Sequence, residues 1–216
     1  MGIRMGVLLS GGGTTLQNLI DHIEAGALDA TVACVISSRD DAYGLVRAKN
    51  HDIPAYVISR KAYGHDLVGF NQAIWKHLRD HEVELIALAG FMSLLEIPAD
   101  YVNRIMNTHP ALIPAFCGQG MYGHHVHEAV LAYGAKVSGA TVHFVNAEYD
   151  NGPIILQEAV PVDEDDTPDT LAERVMALER KLYPKAIQLF AEGRLQVEGR
   201  RVRILPATAE SEPSRG

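Results

Sequence analysis

Short apolar runs alternate with longer amphipathic stretches over residues 3–90. The apolar runs predict buried strands at 3–9, 30–38, 54–59 and 83–90. The stretches between them predict helices at 15–26, 41–52 and 65–82, since their apolar residues recur at helical spacing. Strand–helix alternation of this kind predicts an α/β fold: a mostly parallel, doubly wound sheet with helices on both faces.

The pattern changes after residue 135. Two β-rich segments, 136–145 and 152–162, lie close enough in sequence to pair with each other. Near the end of the chain, residues 194–205 predict a hairpin that turns at Glu198-Gly199. We therefore expect the sheet to be followed by a C-terminal β-hairpin.

A long amphipathic helix is predicted between these β-rich regions. Thr167 is a natural N-cap, Pro168 suits the first turn, and Gly193 closes the helix. Pro184 lies inside the helix and predicts a kink there.

Composition and charge narrow the class of protein. At 216 residues the chain suits one domain, expected at 1–205, followed by a polar, proline-containing tail at 206–216 that we expect to be disordered. The net charge of −8 argues against an extended nucleic-acid surface, and no apolar run approaches the ~20 residues that span a bilayer. Cys34 and Cys117 alone form no disulfide framework, which fits the cytoplasm.

A glycine loop, SGGGTT at residues 10–15, separates the first strand from the first helix. Glycines allow the backbone to approach a ligand, and the helix N-terminus offers free N–H groups to an anion. No Lys follows the last glycine, as a Walker A loop requires, and Leu16 stands where a dinucleotide fingerprint needs a third glycine. The pattern therefore favours a pocket for one phosphate, with a tight turn that binds nothing as the alternative.

Asn107 and His109 stand two positions apart before a proline, so on an extended strand their side chains point to the same side. Both can donate a hydrogen bond to an oxygen that becomes negative during attack on a carbonyl. Asp150, followed by Asn-Gly-Pro, is a candidate to favour the charged form of the histidine. Since no Ser or Cys is placed as a nucleophile, the set suits direct attack by an amine of the substrate.

Five segments resemble, in the same order, the phosphoribosylglycinamide formyltransferases of purine biosynthesis. They are LLSGGGTTLQNLI, LALAGFMSLL, NTHPALIPAF, SGATVHFVNAEYDNGPIILQEAVPV and ERKLYPKAIQLFAEGRL. The resemblance covers residues 3 to about 205. The Asn-x-His-Pro motif and the later Asp are shared by the wider group of 10-formyltetrahydrofolate-dependent transferases, whereas the glycine loop and the helix carrying Glu179 are more particular to this family.

The resemblance implies two binding sites, one in each half of the chain. The phosphoribosylglycinamide site would consist of Gly12, Gly13, Thr14, Thr15 and Glu179, although sequence alone favours an exposed Glu179 paired with Arg180 or Lys181. The folate site would consist of Met92, Ser93, Leu94, Leu95 and Asn107, with the loop from Ala147 to Gly152 closing over it.

The implied reaction is direct formyl transfer from 10-formyltetrahydrofolate, a co-substrate, to the glycinamide amine, with no metal. Asn107 and protonated His109 would stabilise the oxyanion. Asp150 would raise the pKa of His109 and help to order a water that relays the proton. The expected partners are small-molecule substrates, without nucleic acid or membrane, in a monomer or homodimer.

Two features depart from the commoner family pattern. Leu67 and Ser93 stand where many members carry Arg, and the Arg near Leu67 meets the folate glutamate tail in those members. The segment 117–130 is longer than usual and contains His124, His125 and His127. No Cys or acidic residue completes a familiar metal-site spacing, so we expect a glycine-rich loop over the mouth of the active site rather than a metal site.

Three other functions share part of these motifs. A methionyl-tRNA formyltransferase normally has a further C-terminal domain for tRNA. A formyltetrahydrofolate hydrolase would share Asn107, His109 and Asp150 but normally carries an N-terminal regulatory domain. A non-catalytic sugar-phosphate-binding module would explain the glycine loop but leave those three residues without a use.

Overall fold

The computed structural model describes residues 2–207, so most of the predicted disordered tail, 208–216, lies outside the described residues. The strands are β1 (Ile3–Leu9), β2 (Ala30–Ser37), β3 (Ala55–Val57), β4 (Leu85–Ala89), β5 (Ile105–His109), β6 (Val137–Phe144), β7 (Ile154–Pro161), β8 (Leu195–Glu198) and β9 (Arg201–Ile204). The helices are α1 (Thr14–Glu24), α2 (Tyr43–Asn50), α3 (Leu67–Asp80), α4 (His124–Tyr133) and α5 (Pro168–Ala191). Short 3₁₀ helices occupy Arg60–Tyr63 and Ala99–Tyr101.

The strands form one sheet in the order β3-β2-β1-β4-β5-β6-β7-β9-β8. Strands β1 to β5 are parallel, β6 and β7 add antiparallel strands, and β8 and β9 form the C-terminal hairpin. The predicted mostly parallel α/β sheet and hairpin are thus confirmed. Strands β2 and β3 lie on one side of β1, and β4 and β5 lie on its other side, so the strand order reverses at β1. In open α/β sheets, ligands bind where the strand order reverses in this way, at the carboxyl ends of the strands.

Helices cover both faces of the sheet. Successive strand residues are therefore buried in two separate cores, one on each face. Val7 and Leu9 of β1 join one core, which packs under α1, α2, α4 and α5. Leu8, between them, joins the other core under α3, with Phe70 and Ile74. Burying both faces explains why the parallel strands are almost continuously apolar.

Tyr183 of α5 ties this helix to the centre of the sheet. Its hydroxyl, fully buried, bridges the carbonyl oxygens of Leu88 in β4, at 3.0 Å, and Met106 in β5, at 2.8 Å. The described pairing of β4 with β5 ends at Ala87 and Met106. The hydroxyl therefore satisfies carbonyl groups at the point where the two strands separate and a crevice opens.

Three local expectations need correction or refinement. The segment predicted as a glycine-rich loop becomes helix α4 from His124 onward, because Val126 and Val130 lie one helical turn apart and are buried. The hairpin turns at Gly199-Arg200, one position later than expected, with Gly199 at φ +60°. Helix α5 continues through Pro184, so the proline does not end it, and the kink there stays a prediction.

Candidate active site

The glycine loop turns its carbonyl groups toward α2. The carbonyl oxygen of Gly11 accepts from the N–H of Gly44 at 3.1 Å, and that of Gly12 accepts from Arg47 Nε at 2.9 Å. In a trans peptide the N–H points opposite to the C=O, so the N–H groups of Gly12 and Gly13 face away from α2. Gly13 has φ +70°, and a Cβ on it would lie 2.6 Å from Cα of Gly44. Both facts require glycine at this position.

Helix α1 begins directly after this loop and lacks a side-chain cap. Gly13 is its N-cap residue, and no side chain bonds the first N–H groups. Its first turn also holds no acidic residue. The free N–H groups and the positive end of the helix dipole are therefore available to an anion.

Thr14 and Thr15 line a small cavity between α1, β5 and α5, which we call the α1–α5 cavity. Its other lining residues are Asn18, Thr108, Met176, Glu179, Arg180 and Tyr183. The structure thus brings Thr14, Thr15 and Glu179 together around one cavity, the grouping that the family resemblance implies.

Glu179 is partly buried in this cavity and does not take the exposed position that sequence alone favours. Its Oε1 accepts a hydrogen bond of 2.8 Å from Thr108 Oγ1. Burial raises the pKa of Glu179 to about 7, and the bond from Thr108 offsets only part of that rise. The carboxyl group is therefore poised to change charge near neutral pH.

The end of β5 presents residues to both faces of the sheet. Thr108 faces the α1–α5 cavity, so its neighbours Asn107 and His109 project to the opposite face. Asn107 pairs across the sheet with His143 of β6, which places these two side chains on the same face. The predicted convergence of Asn107 and His109 is therefore present in the strand.

Asp150 lies between the two histidines of this face. Its Oδ2 is 3.5 Å from His109 Nδ1 and accepts from the Gly118 N–H at 3.0 Å, and its Oδ1 is 3.7 Å from His143 Nε2. The last distance is too long for a hydrogen bond. Burial opposes the charged form of Asp150, yet His143, His109 and the Gly118 N–H together hold its pKa below the ordinary value. The group is thus a carboxylate at neutral pH.

His109 is almost completely buried, and this burial affects its protonation. Its side chain is only 3% exposed, and burial lowers its pKa more than Asp150 raises it. Asp150 thus raises the pKa of His109, as expected, but desolvation is the larger effect and favours the neutral imidazole in this conformation. His109 Nε2 also lies 2.8 Å from the Phe116 carbonyl oxygen. Since a carbonyl only accepts, Nε2 carries the proton and is already engaged.

A second cavity opens on the face that carries Asn107, and we call it the β5–β6 cleft. One wall is mostly apolar, and the other is formed by Asn107, His143 and the loop 145–150. The residues lining the cleft are Leu88, Phe91, Ser93, Leu94, Leu95, Asn107, His143, Val145, Asn146, Glu148, Tyr149 and Asp150.

Four of the five predicted folate-site residues line this cleft, and Met92 does not. Ser93, Leu94, Leu95 and Asn107 line the cleft together. Met92 is exposed and outside its lining, with its backbone N–H donated to Ser10 Oγ at 3.1 Å. That bond connects the segment beside the cleft to the strand end beside the glycine loop.

The histidines of the longer segment lie on the first turn of α4. His124 and His125 are exposed, and His127 is buried. Within residues 2–207, no group of three or more His, Cys, Asp or Glu side chains is arranged to hold a metal ion. In the same part of the chain, no helix combines the length and apolar character that crossing a membrane requires.

The family assignment rests on the match of most of the chain to one family model. Residues 3–187 match the model described as formyl transferase. The chain belongs to the formyl transferase family.

Two groups of relatives agree with this assignment. This formyl transferase is 40% identical over 197 residues to the phosphoribosylglycinamide formyltransferase of Haemophilus influenzae, covering 90% of each chain. Its structure is similar to glycinamide ribonucleotide transformylase 1 from Symbiobacterium toebii, with a TM-score of 0.88, 48% identity and 95% of each chain covered. It is also similar to the phosphoribosylglycinamide formyltransferase of Coxiella burnetii, with a TM-score of 0.86, 38% identity and 94% of each chain covered.

Sequence reasoning missed three polar residues of the site in this formyl transferase. Thr108 could have been found, because strand alternation places it opposite Asn107 and His109. His143 could have been found only once the register of β5 with β6 was known. Arg180 was considered only as a partner of Glu179, yet it lines the α1–α5 cavity.

Proposed function

We propose that this formyl transferase transfers the formyl group of 10-formyltetrahydrofolate to the amine of 5-phosphoribosylglycinamide. The products are the N-formyl ribonucleotide and tetrahydrofolate, in de novo purine biosynthesis. The observation that carries the proposal is the position of the two cavities on β5. Thr108 lines one and the adjacent Asn107 lines the other, so the two ligands would lie on either side of one strand and would meet around its carboxyl end.

The α1–α5 cavity is suited to the ribonucleotide. The free N–H groups after Gly12 and at the start of α1 would bind the phosphate. Thr14 and Thr15 would add hydroxyl donors, and Glu179 would contact the ribose or the glycinamide end. A cationic amine beside Glu179 would favour its carboxylate form and lower its pKa from about 7.

The β5–β6 cleft is suited to the pterin end of the folate. Its walls combine an apolar surface with a few polar groups, as the walls of small-molecule sites do. Leu94 and Leu95 would pack against the ring, and the backbone groups of Ser93 to Leu95 would bond its polar edge. Asp150 and the loop before it would lie over the formyl-bearing end.

The proposed reaction is direct. The glycinamide amine attacks the formyl carbon, a C–N bond forms, and the carbonyl oxygen becomes an oxyanion. Asn107 donates its amide hydrogen to that oxygen, and His109 donates a second hydrogen bond. The C–N bond to the folate then breaks, and a water held by Asp150 carries the proton from the attacking amine to the departing folate nitrogen.

For His109 to act in this way, its proton at Nε2 must leave the Phe116 carbonyl. The substrate oxygen would replace that carbonyl as acceptor, so a short movement of the segment 116–118 is part of the mechanism. The same segment bonds Asp150 through the Gly118 N–H. Negative charge on the substrate oxygen then favours the imidazolium, offsetting the effect of burial on the pKa of His109.

The residues assigned to both sites come from a single chain. The proposed enzyme would therefore be complete as a monomer, and a homodimer would not need to add a residue. Two free cysteines, Cys34 and Cys117, fit the cytoplasm as its location.

A spectroscopic assay of tetrahydrofolate formation tests the proposal. The protein is mixed with 10-formyltetrahydrofolate, with and without 5-phosphoribosylglycinamide. Deformylation only in the presence of the ribonucleotide is expected. Deformylation without it would indicate a hydrolase, and no turnover in either mixture would indicate a binding module; both results refute the proposal.

A further inference from the structure

The phosphate site described above lacks an obvious cation within its glycine loop. A phosphate monoester carries up to two negative charges, and the whole chain has a net charge of −8. Arg47 lies beside the loop, but its Nε bonds the Gly12 carbonyl oxygen and its NH1 bonds Gln17 Oε1 at 3.2 Å. Its guanidinium is thus used to hold the loop rather than to face the ligand.

Of the eight described residues that line the α1–α5 cavity, Arg180 alone carries a positive charge. Its backbone is fixed opposite α1, because Asn18 Nδ2 donates to the Arg180 carbonyl oxygen at 3.0 Å. No ion pair joins Arg180 to the adjacent Glu179 within residues 2–207. The guanidinium is exposed and available to a ligand.

The direction of α5 carries Arg180 toward the ligand edge of the sheet. Glu179 bonds Thr108 at the carboxyl end of β5, whereas Gln188 bonds the Asp29 N–H just before β2 begins. The helix therefore runs from the ligand edge toward the opposite edge. Helical side chains lean back toward the N-terminus of their helix, which for Arg180 is toward the ligand edge. Its NH2 indeed lies 3.4 Å from Sδ of Met176, one turn earlier.

We propose that Arg180 is the cation that binds the phosphate of the ribonucleotide, facing the N-terminus of α1 across the cavity. This inference rests on the proposed function for the identity of the substrate. The N–H groups of the loop and helix supply neutral donors from one side. The guanidinium supplies charge-assisted hydrogen bonds from the other side, and such bonds are the stronger kind.

Lys181 provides a matched control. It is the next residue and also a cation, but it lines a separate groove with Pro184, Lys185 and Arg194 on another side of α5. Loss of its charge changes the net charge of the protein equally without touching the α1–α5 cavity.

The test is calorimetric binding of ribose 5-phosphate and of ribose, without folate, to the wild-type protein and to Arg180→Ala, Arg180→Lys and Lys181→Ala. We expect Arg180→Ala to weaken ribose 5-phosphate binding about 10- to 100-fold, the loss of one or two charge-assisted bonds. Arg180→Lys should recover part of that affinity, and Lys181→Ala should bind as the wild type does. Thermal unfolding of each variant confirms that it is folded.

Three outcomes would overturn the proposal: an unchanged affinity in Arg180→Ala, an equal loss in Lys181→Ala, or a wild-type protein that binds ribose as tightly as it binds ribose 5-phosphate.

Transfer assays separate this inference from the proposed function. Wild-type protein that binds ribose 5-phosphate through Arg180 but transfers no formyl group would refute the function and leave the phosphate contact standing. Normal transfer with an unaffected Arg180→Ala variant would refute the phosphate contact alone.

Discussion

Ionised Glu179 destabilises the folded protein, because its carboxylate is partly buried. Replacing it with Gln removes this destabilisation. The pKa of Glu179 is raised to about 7 from an ordinary value of 4.5, chiefly by burial. Between these two pH values the folded protein keeps the proton and the unfolded chain loses it. The stabilisation associated with the protonated group is fully present below pH 4.5 and is lost as pH rises through 7.

The magnitude follows from the size of the shift. One pKa unit corresponds to about 1.4 kcal/mol, and the partial solvent exposure of the group reduces its full effect. We therefore expect Glu179→Gln to raise the free energy of unfolding by about 2 kcal/mol more at pH 8.5 than at pH 5. The amide oxygen of Gln can still accept the hydrogen bond from Thr108, so this contact does not confound the comparison.

Urea denaturation at the two pH values, at constant salt, measures this difference. The single tryptophan, Trp75, is buried, and its Nε1 donates to the Glu96 carbonyl oxygen, so its fluorescence reports unfolding. Glu173→Gln, at an exposed position of the same helix, is the control and should show little difference between pH 5 and pH 8.5. Formyl transfer by Glu179→Gln should fall even as its stability rises, because the charge proposed to contact the substrate is gone.

A destabilisation of equal size at both pH values would refute the reasoning. Glu179 would then serve mainly as a structural partner of Thr108, and its ionisation would not be strained by the fold. A stabilisation that is the same in Glu173→Gln would show a general effect of charge on helix α5 rather than burial of one group.

The remaining predictions concern Asp150, the carboxylate proposed to act in catalysis, and its surroundings. Asp150→Asn should lower kcat by about 100-fold or more. The alkaline limb of its pH–kcat profile should move to lower pH, because the group that raises the pKa of His109 is lost. An alkaline limb at the wild-type position would contradict the role proposed for Asp150. Gly118→Ala and Gly120→Ala should each lose about 1–2 kcal/mol in urea denaturation, since both positions have positive φ, +96° and +86°. Of these two glycines, only Gly118 donates its N–H to Asp150; alanine keeps that N–H, but strain at φ +96° should displace it and lower kcat in Gly118→Ala, and equal kcat values in the two variants would contradict this. Tyr183→Phe should destabilise the protein by about 1–3 kcal/mol in the same assay, because two buried strand carbonyls lose their shared donor; a neutral result would mean that water replaces the hydroxyl.

Much of the fold was predictable because its signals are local. Burial on both faces makes the central strands almost continuously apolar, and such runs are visible without any knowledge of neighbours. Glycine and threonine at fixed positions likewise mark the start of α1 and of α5. Helix α4 was missed because glycines and histidines before and within its first turn obscure the apolar pair Val126 and Val130.

The candidate site was less predictable because its properties depend on contacts distant in sequence. Glu179 is partly buried by packing of α5 against β5, and its partner Thr108 is 71 positions away. The pKa of His109 is lowered because the folded chain buries the imidazole ring, and a sequence motif does not show how completely a side chain will be buried. The bond from His109 to Phe116 likewise depends on the path of the loop after the His-Pro motif.

The arrangement at the end of β5 gives the central claim its physical basis. Adjacent residues of one strand line two cavities. In the proposed mechanism the ribonucleotide and the folate approach each other around the carboxyl end of that strand, without a covalent intermediate on the chain. The residues assigned to the chemistry donate hydrogen bonds and relay protons, and none is required to carry the formyl group.

A single-turnover experiment with labelled formyl group tests direct transfer. Excess wild-type protein is mixed with 10-formyltetrahydrofolate labelled in its formyl carbon and with 5-phosphoribosylglycinamide, and label is followed in the ribonucleotide, in free formate and on the protein. His109→Ala and His125→Ala, the latter at an exposed position of α4, are compared in the same way. We expect the label to pass to the ribonucleotide alone, at the wild-type rate in His125→Ala and about 1,000-fold more slowly in His109→Ala. Label in formate, or label that first accumulates on the protein, would contradict direct transfer.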